Sequence, residues 1–196
     1  MPFITTISEE QATGAVASMY ETDREVFGYL PNLTQGFSLR PEVYAAWRQL
    51  NGAVKANMDL RRYELATIAA ASRLRSSYCT LAHGRVLLDN FLSAEGLRAA
   101  IGDRAGEELD ALDTAVVEMA EKVALDASSI TQDDVDRLRA LGLSDEEVVD
   151  VILAAAVRCF FSKVLDGLGI QPDARYNELD PELRDALTVG RPIAEQ

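Results

Sequence analysis

Nothing in this 196-residue chain alternates apolar and polar side chains convincingly enough for a half-buried strand. Helix punctuation recurs instead. Ser8 with Gln11, and Ser144 with Glu147, have capping-box spacing, in which two side chains satisfy free amide donors at a helix start. Asp59 is placed to cap a helix opening at Leu60, and Pro41 suits a first helical turn after Arg40. Gly142, Gly167 and Gly169 sit where helices would end. Between these marks Ala, Leu, Glu and Arg dominate, all good helix formers. The pattern predicts an all-α chain with helices over 8–25, 41–56, 60–74, 77–92, 94–101, 106–125, 131–140 and 144–168. The stretch GYLPNLTQGFSLRPE reads as a loop. No low-complexity run or linker divides the chain, so one domain is expected over 1–196, with N-terminal helices in 1–56, a helix pair in 60–92, C-terminal helices in 94–168 and a tail in 169–196. That polar, proline-punctuated tail either wraps its own chain, reaches a neighbour or lies loose.

A faint internal echo lies within this pattern. A shift of 85 residues lays DLRRYELATIAAASR, from Asp59, over SDEEVVDVILAAAVR, from Ser144. Ala69–Ala71 then fall on Ala154–Ala156, and Arg73 on Arg158. Either two buried alanine-rich helices resemble one another by chance, or two related helical halves pack together.

Charge narrows the partners. The chain carries 32 acidic and 19 basic residues, a net charge of −13, so phosphate-rich nucleic acid and anionic membrane surfaces would be repelled. The longest apolar runs, LATIAAAS and VVDVILAAAV, fall well short of the roughly 20 residues of a membrane span. The start, MPFITTISEEQATG, has neither a basic region nor an apolar core of the secretory type, and a cytoplasmic protein is expected. Two cysteines 80 residues apart suggest no disulfide scaffold. One histidine and no cysteine cluster argue against structural zinc, and the absence of a glycine-rich phosphate loop argues against a nucleotide, so no cofactor is expected.

The chemistry concentrates in YELATIAAASRLRSSYCTLAHGRVLLDN, residues 63 to 90. Arg75, Ser76 and Ser77 interrupt the apolar pattern, so one helix ends there and another begins, with Cys79 in its first turn. Unpaired amide donors at that end favour negative charge on a thiol. His83, the only histidine, lies four residues on and therefore on the same face, placed to take a thiol proton. Glu64, on the preceding helix among Leu65, Ile68 and Ala69, is expected to be partly buried with a raised pKa suited to proton transfer. Each residue also has an ordinary reading. Cys79 can be a small buried hydrophobe, His83 a structural histidine, and Glu64 a surface acid paired with Arg61. Cys159, within AAAVRCFFSKVL, has no base in local reach and reads as core packing beside Val157, Phe160 and Phe161.

Taken together, residues 60–88 resemble the signature of the alkylhydroperoxidase D-like and carboxymuconolactone decarboxylase superfamily. In it a helical glutamate is followed twelve residues on by C-x-x-C and then x-x-x-H. Here the corresponding positions are Glu64, Ser76, Cys79 and His83. The lead-in GYLPNLTQGFSLRPEVYAAWRQL and the closing LSDEEVVDVILAAAVRCFFSKVLDGLGIQPD look like the peroxidase-related branch. The resemblance implies an all-α fold that forms a homo-oligomer with the cysteine site near subunit contacts. It also implies a redox disulfide between the two signature cysteines, with Glu64 and His83 relaying protons. Ser76 departs from the pattern. A hydroxyl cannot close that disulfide, although a serine there can still cap the helix, accepting an amide hydrogen bond from near Cys79.

Three functions are therefore expected in competition. The first is a peroxidase-related oxidoreductase in which Cys79, assisted by His83 and Glu64, reduces a hydroperoxide or a thiol/disulfide partner and an external thiol resets the site. The second is acid–base chemistry by His83 and Glu64 on a small carboxylated substrate, as in the lactone decarboxylases, with Arg73 or Arg75 holding the anion. The third is a non-catalytic oligomeric binding protein.

Overall fold

The computed structural model describes residues 2–102 and 108–195. Among these the chain forms ten α-helices and no strand, in the order α1 Gly14–Phe27, α2 Asn32–Gly36, α3 Pro41–Ala56, α4 Leu60–Arg73, α5 Ser77–Asn90, α6 Ala94–Ile101, α7 Ala111–Asp126, α8 Gln132–Ala140, α9 Asp145–Leu168 and α10 Pro181–Leu187. Short 3-10 turns occupy Glu9–Gln11, Ala127–Ser129 and Ala174–Glu178. The all-α expectation holds. None of the described helices is long and apolar enough to cross a membrane.

Helix α4 is the axis of the molecule. Every residue from Tyr63 to Ala71 is buried, and a helix that is apolar on all sides must be enclosed on all sides. Helices α5, α7 and α9 enclose it. Ala66, Ala69 and Ala70 on α4, and Ala154 and Ala155 on α9, are small enough to let the backbones approach closely. Around them Leu65, Ile68, Leu81, Leu87, Leu97, Val116 and Val151 form the main core. Burying each of these side chains contributes about 1.5–3 kcal/mol. A smaller cluster, rich in aromatic rings, gathers Phe37, Tyr44, Tyr78 and Phe161 around Cys79.

Local signals explain most helix ends. Asp59 accepts from Arg62 N at 3.0 Å, and Ser144 and Glu147 form the expected reciprocal cap on α9. The echo between these helices has a spatial counterpart, because Arg62 donates to Glu147, its equivalent 85 residues on, at 2.7 Å. Between α4 and α5, Arg75 adopts the left-handed conformation at φ 57° and Ser76 N bonds back to Ala71 O at 3.0 Å. This reversal lays α5 alongside α4.

Several boundaries differ from expectation. The Ser8–Gln11 box caps only a 3-10 turn, and α1 starts afresh at Gly14, whose φ of 53° breaks helical continuity at that point. Gly167 lies inside α9, and Gly169, at φ 73°, ends it. The expected helix over 106–125 is observed from Ala111, capped by Asp110; its first two expected positions lie outside the described residues. The loop before α3 contains the short α2, and the tail contains α10, capped by Asp180 with Pro181 in its first turn.

The tail wraps its own chain. Asp173 is buried and accepts from Tyr29 Oη at 2.9 Å, from Asn32 N at 2.7 Å and from Tyr78 Oη. Helix α10 packs on α5, and Thr80 Oγ1 donates to Leu187 O at 2.5 Å. Gly190 N then donates to Ser77 Oγ at 2.8 Å, clasping the first turn of α5. A Cβ at Gly190 would stand 1.9 Å from the Arg75 carbonyl oxygen. Gly190→Ala is therefore expected to cost about 1–3 kcal/mol in thermal or urea unfolding, the usual scale of overpacking. An unchanged midpoint would show that the tail does not seat on this joint.

Candidate functional site

The hairpin of α4 and α5 places the three signature side chains on one cavity of about 480 Å³. Cys79 lies in the first turn of α5, as expected, and is only 2% exposed. Glu64 is 1% exposed on α4. His83 comes one turn after Cys79, and its Nδ1 lies 2.5 Å from Glu64 Oε2. This contact puts the ring proton on Nδ1 and leaves Nε2 as the free acceptor. Lys55 Nζ stands 3.6 Å from the other Glu64 oxygen. The reading of Glu64 as a surface acid paired with Arg61 is overturned, since Arg61 pairs with Asp113.

Glu64 departs from expectation in its titration too. Burial alone would raise its pKa, but His83, Lys55 and Arg158 together outweigh burial and hold it below the usual carboxylate value. Burial and then the Arg158 charge push His83 down, against the attraction of Glu64. The two partners thus pull in opposite senses, one favouring an imidazolium and one opposing it. A largely enclosed ring with a fixed guanidinium nearby is the stronger constraint, so His83 is neutral and Glu64 ionised near pH 7.

Arg158, in the middle of α9, is the group that sequence reasoning missed. It is 3% exposed, and its Nη1 donates to Cys79 Sγ at 3.6 Å. Its Nη2 reaches Tyr63 Oη at 3.5 Å, its guanidinium lies 5.6 Å from the Phe161 ring centre, and its Nε has no partner. Among the described residues no carboxylate lies within ion-pair distance of it. The available signal was a lone charge inside the apolar run LAAAVRCFF, at the position echoing Arg73. The arginines suggested for anion binding are elsewhere, Arg73 paired with Glu121 and Arg75 bonded to Val189 O.

Two further expectations change. The Ser76 hydroxyl makes no cap bond. It is buried and tends to lower the Asp166 carboxyl pKa against the larger rise that burial causes there, while its carbonyl receives Thr80 N. Cys159 is partly exposed rather than in the core, does not line the cavity, and burial raises its thiol pKa. Phe160, next to it, is exposed.

Further parts of the cavity wall come from α3, with Trp47, Asn51 and Lys55, from the segment between α1 and α2, with Tyr29 and Pro31, and from the tail, with Tyr176. The profile of the carboxymuconolactone decarboxylase family matches residues 41–122, which run from α3 into α7 and include Lys55, Glu64, Cys79 and His83. The match spans less than half of the chain and makes this segment similar to that family. Solved structures agree in fold across almost the whole chain. An alkylhydroperoxidase AhpD-core, peroxidase-related protein from Ralstonia eutropha JMP134 superposes with a TM-score of 0.79 at 16% identity, covering 97% of this chain and 98% of its own. A peroxidase-related protein from Silicibacter sp. TM1040 gives 0.72 at 20% identity, covering 90% and 92%. The debrominase Bmp8, solved with 2,3,4-tribromopyrrole, gives 0.75 at 14% identity, covering 94% and 97%. No curated protein matches the chain in sequence. Arg158 and Tyr176 lie outside the segment that matches the superfamily profile.

A neutral, buried His83 has a measurable consequence. The unfolded chain takes up a proton on this histidine below about pH 6.5, whereas the folded chain resists it. Its contribution to stability is therefore complete above that pH and is lost as pH falls toward the depressed folded value. The contribution of Glu64 is lost only at lower pH, as its own depressed value is passed. The thermal midpoint of His83→Gln should fall less than that of the native protein between pH 7 and 5. Parallel profiles would show that the ring is not held neutral.

Proposed function

We propose that the protein is a peroxidase-related oxidoreductase that reduces an organic hydroperoxide through the single cysteine Cys79. The observation that carries this reading is the contact of Cys79 Sγ with the buried Arg158 guanidinium, on the same cavity as the His83–Glu64 pair. A cation with no carboxylate partner stabilises negative charge on the sulfur, and a neutral imidazole accepts the proton that leaves it. The sulfur electron pair then attacks the distal hydroperoxide oxygen. An S–O bond forms, the O–O bond breaks, and the departing alkoxide takes the proton from His83 Nε2. The products are an alcohol and a Cys79 sulfenic acid. Because Ser76 supplies no second thiol, resetting falls to an external thiol. One thiol displaces water to give a mixed disulfide, and a second thiol releases Cys79 as the thiol.

Acid–base chemistry on a carboxylated substrate is the competing reading, and the cavity supports it by supplying, in Arg158 and Lys55, the basic groups such a substrate requires. Cysteine substitution separates the two. With an organic hydroperoxide and a sulfenic-acid-specific label, mass spectrometry should find the label on Cys79. Cys79→Ser should abolish both label and peroxide consumption, and Cys159→Ser should retain both. His83→Ala should slow consumption by roughly 10²–10⁴-fold, the range of general acid–base assistance. Label on Cys159, or turnover surviving in Cys79→Ser, would refute the thiol reading.

A further inference from the structure

The lining of the cavity is unlike the rest of the chain. The sequence has six tyrosines and one tryptophan, and five of those tyrosines (Tyr29, Tyr44, Tyr63, Tyr78 and Tyr176) together with Trp47 line this space. Trp47 stacks on Phe161 with ring centres 3.8 Å apart and continues to Tyr44 at 6.0 Å, which makes one wall a fixed aromatic surface. Electrostatics are reversed as well. The whole chain has 32 acidic and 19 basic residues, yet the lining has four basic residues (Lys55, Arg85, Arg158 and Arg175) and two acidic ones (Glu64 and Glu178). Lys55 and Arg85 are engaged by Glu64 and Asp89, and Arg175 lies over the Tyr29 ring. Arg158 alone sits deep without a carboxylate.

That buried guanidinium lines the cavity and has no carboxylate within ion-pair distance among the described residues. A buried cation without a counter-charge is costly, and one on a cavity marks a place where an anionic group completes the pairing. Aromatic walls favour a planar ring over a flexible chain, because the ring brings contact area with little ordering entropy.

We propose that the cavity binds a planar aromatic anion of one or two rings, its ring against the Trp47–Phe161–Tyr44 wall and its charged group on Arg158. This deepens the thiol reading and rests on it only in taking the ligand as the substrate, or the product, of Cys79. Bound this way, the anion shares Arg158 with the sulfur, so thiol charge and ligand charge compete for one guanidinium.

Calorimetric titration with 2-naphthoate tests the assignment, with neutral 2-naphthalenemethanol and aliphatic octanoate as comparisons. The naphthoate should bind at least about tenfold more tightly than either, the scale of one charge-assisted hydrogen bond. Arg158→Met should lose that margin, Arg158→Lys should recover part of it, and Cys79→Ser should bind more tightly than the native protein because the competing sulfur charge is gone. A measurement on the native chain needs no substitution: saturating 2-naphthoate should slow alkylation of Cys79 and leave Cys159 unaffected. Equal affinity for the alcohol, octanoate binding as tightly as naphthoate, or no protection of Cys79 would overturn the proposal. Naphthoate binding without peroxide turnover would remove the peroxidase reading and leave this one standing; turnover without naphthoate binding would do the reverse.

Discussion

Arg158 places a full positive charge where the surrounding helices are packed with alanine, leucine and aromatic rings. Moving a guanidinium out of water costs several kcal/mol, and a carboxylate partner usually offsets that cost. None is within ion-pair reach among the described residues, so the charge is compensated by the Cys79 sulfur, the Tyr63 hydroxyl and the Phe161 ring. That compensation requires α9 to lie against both α4 and α5, which the alanine faces of α4 and α9 permit. It also requires α5 to begin where it does, at a joint held by the left-handed Arg75 and clasped by Gly190 from the tail. Helix contact, joint and tail serve one arrangement, the register of Cys79 against Arg158.

The same guanidinium divides the work of the site. Burial first and then this guanidinium oppose charge on His83, while His83, Lys55 and Arg158 together outweigh burial and keep Glu64 an ionised acceptor for Nδ1–H. One cation thus touches the sulfur directly and acts on the His83–Glu64 pair through space. Tyr78, next to Cys79 on α5, ties this helix to the tail, because its hydroxyl donates to Asp173, which also accepts from Tyr29 and the amide of Asn32. Burial and the Asp173 charge raise the Tyr29 phenol to about 12, so it stays a donor at the rim throughout the working pH range.

What was legible in the sequence was local. Asp59, Pro41, Ser144 and Gly169 marked their helix ends because capping depends on a few adjacent residues. Glu64, Cys79 and His83 were legible because i,i+4 spacing and a short reversal suffice to bring them together. The Ser8 box misled because it is equally compatible with a 3-10 turn, and only Gly14 decides where the long helix starts. Helices α2 and α10 span too few residues for an apolar period to show. Arg158, Trp47 and Tyr176 reach the site only through tertiary packing, from positions 79, 32 and 97 residues away from Cys79, and no spacing rule announces them.

The central proposal is that Arg158, in contact with Cys79 Sγ, rather than His83, makes Cys79 the reactive thiol. The most direct measurement is the rate of iodoacetamide alkylation at Cys79, read by mass spectrometry at pH 7 in the native protein, Arg158→Gln, Arg158→Lys and His83→Gln. Loss of the guanidinium should slow the reaction by roughly tenfold or more, the usual effect of removing an opposite charge in contact, with lysine restoring part of the rate. His83→Gln should change it far less. A native-like rate in Arg158→Gln, combined with a slow one in His83→Gln, would contradict the account and return the thiol to its histidine.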